Sequence, residues 1–445
     1  MRIDVPHGNT ISPLSRDCED RAAGSREIVA VGEPARSPLA GLSMVIDVVT
    51  RSCNLNCSYC HERASAAPVA LDLNARLSAA EWLLSETRRR KLQWVLHGGE
   101  PLLVDRALLT ALTDGVRSAA DASGVELRFG LQTNATLIDD AWARWLAERN
   151  LRVGVSLDGP PESNDFYRAR GTAVERALAR LSDAGVHFGI LCVLTRRNVS
   201  RVAELVAYFH SLKAASLRFN PCWPVGRADA EMAPLPEDLV RAKSQLLSMV
   251  IDSGNPAFDP ELVHLVRRFV AARAGVKNRP GICSTRPCGA GHSVVALTPE
   301  GAVHSCGRAL ALPRGLGFLA ARDERPEPNL WLSRLRSFQR PQRPTGECPS
   351  CKALSICNGG CASFLWQAPV ARRASCRYWR GLASVFDERL AELEALSSRL
   401  ARKPSHNCGI LGTIPPKPGL APVQCSSETP AAGSSRKGGP DYDVS

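Results

Sequence analysis

Six short apolar runs recur along the first half of the chain, and helical stretches fill the gaps between them. This alternation constrains the fold more than any other feature. The runs are SMVIDVV (43–49), KLQWVLHGGEP (91–101), VELRFGLQTN (125–134), LRVGVSLDG (151–159), VHFGILCVLT (186–195) and SLRFNP (216–221). Helical patterns occupy 76–90, 104–121, about 138–149, about 171–184 and 198–213. Strands alternating with helices in this way form parallel βα units, as an open sheet or a partial barrel. In such folds chemistry gathers at the C-terminal ends of the strands. Polar, glycine-rich clusters stand there five times (CNLNCSYC, HGGEP, QTN, SLDG and FNP), and five coincidences read as one site.

The remaining chain divides by composition. Residues 1–40 read as a loose leader, 41–234 as the βα domain and 235–280 as a helical bridge. Residues 281–380 form a small cysteine-rich module. An amphipathic helix at 381–402 carries Leu382, Phe386, Leu390, Leu393 and Leu400 at helical spacing, and a Pro-, Gly- and Ser-rich tail at 403–445 reads as disordered. A hydrophobic fraction of 44% excludes global disorder. No apolar run is long enough for a bilayer, and the N-terminus lacks the apolar segment of a secretory signal, so a cytoplasmic protein without a membrane partner is expected. Sixteen cysteines in a reducing compartment then read as ligands, catalysts or buried residues rather than disulfides. The net charge of +12 is scattered, not gathered into a block. It describes a solvated, Arg-rich surface, and nucleic acid is not expected as a partner.

Cys53, Cys57 and Cys60 form C-x3-C-x2-C directly after the first strand. Thiolates are soft ligands for iron–sulfur clusters or zinc. Three of them can hold three irons of a 4Fe–4S cube and leave the fourth open. On spacing alone, a zinc site completed by His61 and plain buried cysteines both remain open readings. A second array comprises Cys283, Cys288, Cys306, Cys348, Cys351, Cys357, Cys361 and Cys376. Eight thiolates suffice to ligate two 4Fe–4S clusters fully, or two structural zincs.

Taken in order, these motifs resemble the radical S-adenosylmethionine superfamily with a C-terminal SPASM domain, in its peptide- and protein-modifying maturase branch. The resemblance implies a partial (β/α)6 barrel of TIM type, followed by a small SPASM module with auxiliary clusters. It implies three 4Fe–4S clusters, one that binds S-adenosylmethionine on Cys53, Cys57 and Cys60, and two auxiliary. By the family's interleaved pattern Cys283, Cys288, Cys306 and Cys361 hold the inner auxiliary cluster, and Cys348, Cys351, Cys357 and Cys376 the outer one. Gly98, Gly99 and Glu100 match the family's GGEP segment, whose backbone meets the methionine amino group. Asn134 lies in the QTN match and Ser156 and Asp158 in the SLDG match. Arg168 matches an arginine that pairs with the methionine carboxylate, with Arg170 as competitor, and Tyr59 matches an aromatic near the adenine.

The implied activity is reductive cleavage of S-adenosylmethionine to a 5′-deoxyadenosyl radical that takes a hydrogen from a ribosomally made precursor peptide or a protein. A cross-link at a side-chain β-carbon is the preferred outcome. Thioether formation, epimerisation and formylglycine formation are the alternatives, and a zinc-stapled binding protein is the rival of another class. In the anaerobic sulfatase-maturing relatives an Asp follows the cysteine matched by Cys306; here Gly307 stands there, and no general base is identified. An electron donor such as flavodoxin or ferredoxin, and a separate peptide-recognition protein, are the further partners implied.

Overall fold

The computed structural model describes residues 37–64, 71–276, 288–312, 315–342, 346–368 and 372–402. Cys283, residues 403–445 and most of the 1–40 segment lie outside them. Strand and helix alternate as β1 (Met44–Thr50), α1 (Leu73–Glu86), β2 (Lys91–Gly98), α2 (Arg106–Ala122), β3 (Glu126–Thr133), α3 (Asp140–Glu148), β4 (Arg152–Ser156), the one-turn α4 (Pro161–Asn164), α5 (Gly171–Asp183), β5 (Phe188–Leu194), α6 (Val202–Ser211) and β6 (Ser216–Pro221). Aspartates start three of these helices. Asp72 accepts from the Ala75 amide, Asp105 from Ala107 and Leu108, and Asp139 from Trp142. Each satisfies amides that the first turn leaves without partners.

All neighbouring pairs from β1 to β6 are parallel, in the order β6-β5-β4-β3-β2-β1. Side chains alternate across this curved sheet. Leu92, Trp94 and Leu96 of β2, Phe129 and Leu131 of β3, and Val153 and Val155 of β4 enter one core with the apolar stripes of α1, α2 and α5. The opposite parity, which includes His97, Gln132, Ser156, Arg218 and Asn220, is left for the concave side. A buried ion pair locks the helix side. Arg76 of α1 pairs with Asp47 of β1 and donates to the Thr298 carbonyl, and Trp94 Nε1 donates to Asp47 at 2.8 Å.

Beyond β6 come α7 (Pro236–Ser253), α8 (Pro260–Arg273), β7 (Val294–Leu297), β8 (Val303–His304), β9 (Phe318–Ala320), α9 (Pro328–Gln339), α10 (Leu354–Cys357), α11 (Ala362–Gln367), α12 (Arg372–Glu388) and α13 (Leu390–Arg402). Three features differ from the sequence reading. First, the cysteine-rich module contributes strands: β7 adds to the free edge of β1 in parallel, and β8 and β9 follow antiparallel, making one nine-stranded sheet. These strands have 4, 2 and 3 residues, and β7 is buried throughout, so no alternation marks them. Second, the closing helix is two helices parted at Arg389, whose guanidinium bonds Glu392 and Ser248 of α7. Third, the end of the supposed leader is packed. Leu39 is buried in the core, and the Ala40 carbonyl accepts from the Arg88 amide at 3.1 Å. Among the described residues no helix is long and apolar enough to cross a membrane.

Candidate active site

The site is built where β1 and β2 end side by side. Ser52 N donates to Thr50 Oγ1 at 3.0 Å as β1 runs out. The Gly99 amide then donates to the Thr50 carbonyl at 2.9 Å, and the Glu100 amide to the Ser52 carbonyl at 2.8 Å. A Cβ at Gly98 or Gly99 would strike those same carbonyl oxygens, and Gly98 has φ +126°. The two glycines are therefore required by close approach to the start of the cysteine loop.

Within that loop the Cys53 thiol accepts from the Leu55 amide at 3.4 Å and from Asn134 Nδ2 at 3.8 Å. The Cys60 amide donates to the Cys57 carbonyl at 3.1 Å. Burial pushes the Cys53 thiol above its ordinary pKa, and Glu100, Cys57 and Cys60 add to the rise. Burial raises Cys57 too, with Arg168 opposing and Cys60 and Asp158 reinforcing. All described cysteines are free thiols. Mutual repulsion among buried thiols is what a bound cation relieves, and such ligands lose their protons when a metal enters. The donor set thus fits an iron–sulfur cluster by its chemistry, three thiols on one short loop. No three His, Cys, Asp or Glu side chains among the described residues already form a metal-holding group.

Around the loop stands a chain of buried polar groups. Arg168 Nη1 donates to the Tyr59 hydroxyl at 2.9 Å, and that hydroxyl donates to Asp158 Oδ2. Asp158 Oδ1 accepts from the Val193 amide at 2.8 Å. Burial works against the Arg168 charge, but Tyr59, Cys57 and Asp158 outweigh it and raise its pKa. Arg168 therefore stays cationic beside Cys57. Arg170 is exposed and sits in left-handed backbone at φ 61° before α5, so Arg168 is the one of the pair that faces the loop. Tyr59 is packed edge-on by Tyr167 at 6.0 Å, and the Arg168 guanidinium lies over its ring at 5.9 Å.

Glu100 is placed differently from the expectation of a cofactor contact. It is fully buried; Oε1 accepts from Thr133 Oγ1 at 2.7 Å and from the Leu102 amide at 3.1 Å, and Oε2 accepts from the Asn134 amide at 2.7 Å. Its carboxylate ties the end of β2 to the end of β3. Asn134 in turn reaches Asn54 Oδ1 at 2.9 Å. Ser156 Oγ accepts from Gln132 Nε2 at 2.9 Å, which leaves the hydroxyl hydrogen to point elsewhere.

Several residues at this end carried no recognised motif. His61 Nδ1 lies 3.5 Å from Glu62 Oε1. Burial alone would raise Glu62, yet His61, His97 and Arg308 hold its carboxyl below the ordinary value. Asn198 Nδ2 donates to the Asp158 carbonyl at 3.2 Å and to the Val193 carbonyl at 3.0 Å. Its position after β5 was a usable signal. Cys222, after β6, is buried and its thiol is pushed up to about 12, chiefly by desolvation.

The second array is distributed over several loops and short helices. Cys306 packs beside Met44, Ile46, Val95 and Val294, against β1, β2 and β7. Cys288 precedes β7, and Cys361 packs with Phe364 and Leu365 of α11. The Cys357 thiol is raised by burial and also by Cys351, Cys376 and Cys348, which places four thiols as electrostatic neighbours. The turn between Cys357 and Cys361 runs through left-handed backbone at Asn358, Gly359 and Gly360.

Residues 48–209 match the family model described as the Radical SAM superfamily. Over 409 residues the chain is 27% identical to a serine-type anaerobic sulfatase-maturating enzyme of Klebsiella aerogenes, covering 88% of this chain and 95% of that one. Native anSMEcpe with bound AdoMet shares the fold at a TM-score of 0.65 and 22% identity, over 80% of this chain and 99% of the other. Streptococcus suis SuiB bound to precursor peptide SuiA gives a TM-score of 0.53 and 19% identity, over 74% and 73%. The thiol loop and the strand ends that surround it lie inside the matched segment, on a sheet of the same fold. The chain thus carries a segment, residues 48–209, that matches the Radical SAM superfamily, and it is similar over most of its length to sulfatase-maturating enzymes.

Proposed function

We propose that this enzyme is a SPASM-type maturase that modifies a ribosomally made peptide or a protein, forming a cross-link at a side-chain β-carbon. The observation that carries the site is the convergence of Cys53, Cys57 and Cys60 with the Arg168–Tyr59–Asp158 chain at the ends of neighbouring strands. The three thiols would hold the catalytic cluster, and the second array two auxiliary ones. Bound there, cluster and S-adenosylmethionine supply one electron and a carbon radical able to take hydrogen from an unactivated C–H bond. The protein's part is orientation and exclusion of water. Arg168 presents a fixed positive fork suited to the methionine carboxylate. Tyr59 and Asp158 hold that fork in place, and Ser156 and Asn134 stand on the same rim. Glu100 acts through Asn134 and Thr133 as a positioning residue. A peptide substrate is supported by the relative that matures sulfatases and by the precursor bound to SuiB.

Formylglycine formation is the second reading, favoured by the Klebsiella relative. Against it, Gly307 has no side chain to serve as base after Cys306. Mass spectrometry of a treated precursor peptide separates the two. A cross-link removes two hydrogens and leaves no group that reacts with a hydrazide, whereas formylglycine is an aldehyde. Replacing Cys53, Cys57 and Cys60 together by Ala should abolish 5′-deoxyadenosine formation while iron falls from about twelve per chain to about eight. Continued 5′-deoxyadenosine would refute the catalytic assignment. A colourless wild-type protein with stoichiometric zinc would point instead to a zinc-stapled binding protein.

A further inference from the structure

The sheet order leaves β6 and β1 on opposite sides of the six-stranded barrel sheet. The chain leaving β6 nevertheless returns to the cysteine loop. After Pro221 the Cys222 amide donates to the Leu194 carbonyl at 2.8 Å, and five residues later the Arg227 amide donates to the Cys60 carbonyl at 3.1 Å. The Arg227 guanidinium grips the loop on both flanks, through Asn56 Oδ1 and the Ala64 carbonyl. Arg63 reciprocates, donating from Nη2 to the Gly226 carbonyl at 2.9 Å. Gly226 has φ +70°, and a Cβ there would lie 2.6 Å from the Cys60 carbonyl oxygen and 2.7 Å from His61 Cα. The backbone approaches too closely for any other residue. On its far side the same segment meets the cysteine-rich module. Trp223 packs at a tilt against Phe364 at 5.4 Å and edge-on against Tyr378 at 6.0 Å, and Val225 joins the cluster that includes Cys361.

We infer that residues 222–228 form a positioning strap, which sets the placement of the thiol loop and couples it mechanically to the second array. Gly226 and Arg227 are its positioning residues, and Trp223 is its anchor. The inference rests on the reading of Cys53, Cys57 and Cys60 as ligands. The physical need is plain. Three thiols must be held in one arrangement by a loop with little regular secondary structure of its own. Arg227 spans Asn56 to Ala64, either side of Cys57 and Cys60, and its rigid planar fork holds two separated acceptors in a fixed geometry that a lysine's compact ammonium does not reproduce. Groups that orient ligands without touching the metal commonly change affinity by about 10- to 100-fold when removed.

The test uses the full chain, reconstituted anaerobically, as wild type, Arg227→Ala, Arg227→Lys, Gly226→Ala and Trp223→Ala. Hydrogen exchange of peptides covering 53–64 should accelerate about tenfold or more in Arg227→Ala and Gly226→Ala, with β1 and β2 unchanged. Arg227→Lys should fall between wild type and Arg227→Ala. The change that S-adenosylmethionine induces in the electron paramagnetic resonance spectrum of the reduced protein should weaken in the same order, while iron held by the second array stays. Trp223→Ala should loosen 53–64 although Trp223 bonds none of those residues. The strap is overturned if Arg227→Ala leaves both the loop exchange and the spectral response unchanged. It is equally overturned if Arg227→Ala and Arg227→Lys accelerate exchange everywhere alike. If the wild type takes up no iron, the ligand reading fails while the exchange data still report on the strap.

Discussion

Tyr59 shows how much one hydroxyl can organise. It accepts from Arg168 and donates to Asp158, so three groups from the first, fourth and post-fourth-strand segments are held by one oxygen. Burial pushes its pKa well up, with Asp158 adding to the rise and Arg168 opposing it, so the phenol remains protonated and able to donate. Tyr59→Phe should leave the cluster in place and weaken S-adenosylmethionine binding by about tenfold, about 1.4 kcal/mol, in equilibrium dialysis of the reconstituted enzyme. Arg168→Lys should weaken it at least as far, since an ammonium cannot reproduce the fork. Unchanged affinity in both would remove Arg168 as the carboxylate partner. Motif spacing had brought Arg168 and Arg170 forward together. Only the left-handed turn at Ala169 and Arg170, which sends one side chain in and leaves the other exposed, separates them. No local pattern announces such a turn, because neither residue is glycine or asparagine.

At the scale of elements, β1 and α1 are joined by the Asp47–Arg76 pair, both side chains wholly buried. Asp47→Ala would strand the Arg76 guanidinium in the core and should cost about 3–5 kcal/mol, read as a lowered urea midpoint of the anaerobically purified protein. A loss under about 1 kcal/mol would mean that water or the Thr298 carbonyl suffices for Arg76. The six barrel strands and their order along the chain were legible because each carries several apolar residues and five of them end in a polar cluster. Glu100 stood out by its motif, but the tie it makes from β2 to β3 did not, since a motif names a position and not the partners that occupy its oxygens. The strap was not legible at all. Arg227 and Asn56 are 171 positions apart, and nothing in the stretches VGRADA and CNLNC reports a contact made through tertiary folding.

For the whole molecule, the cysteine count is the quantity that organises function. Three thiols on the barrel and seven described thiols of the second array are free, and Cys357 lies in the electrostatic reach of three others. Replacing Cys348, Cys351 and Cys357 together by Ala should remove about four irons per chain and leave the spectral response to S-adenosylmethionine in place. Loss of that response as well would show that the two arrays stand or fall together.

The pairing of β7 with β1 also bears on how the protein is made. The two segments meet across 250 positions, as in the bond from Ser43 to the Ser293 carbonyl. At ordinary rates of synthesis the outer edge of β1 therefore waits about 10–50 s on the ribosome before its neighbour exists. An unpaired strand edge is a template for wrong partners during that interval. A chain that stops at residue 280 would keep the edge open permanently, and it should aggregate rather than yield an isolated barrel.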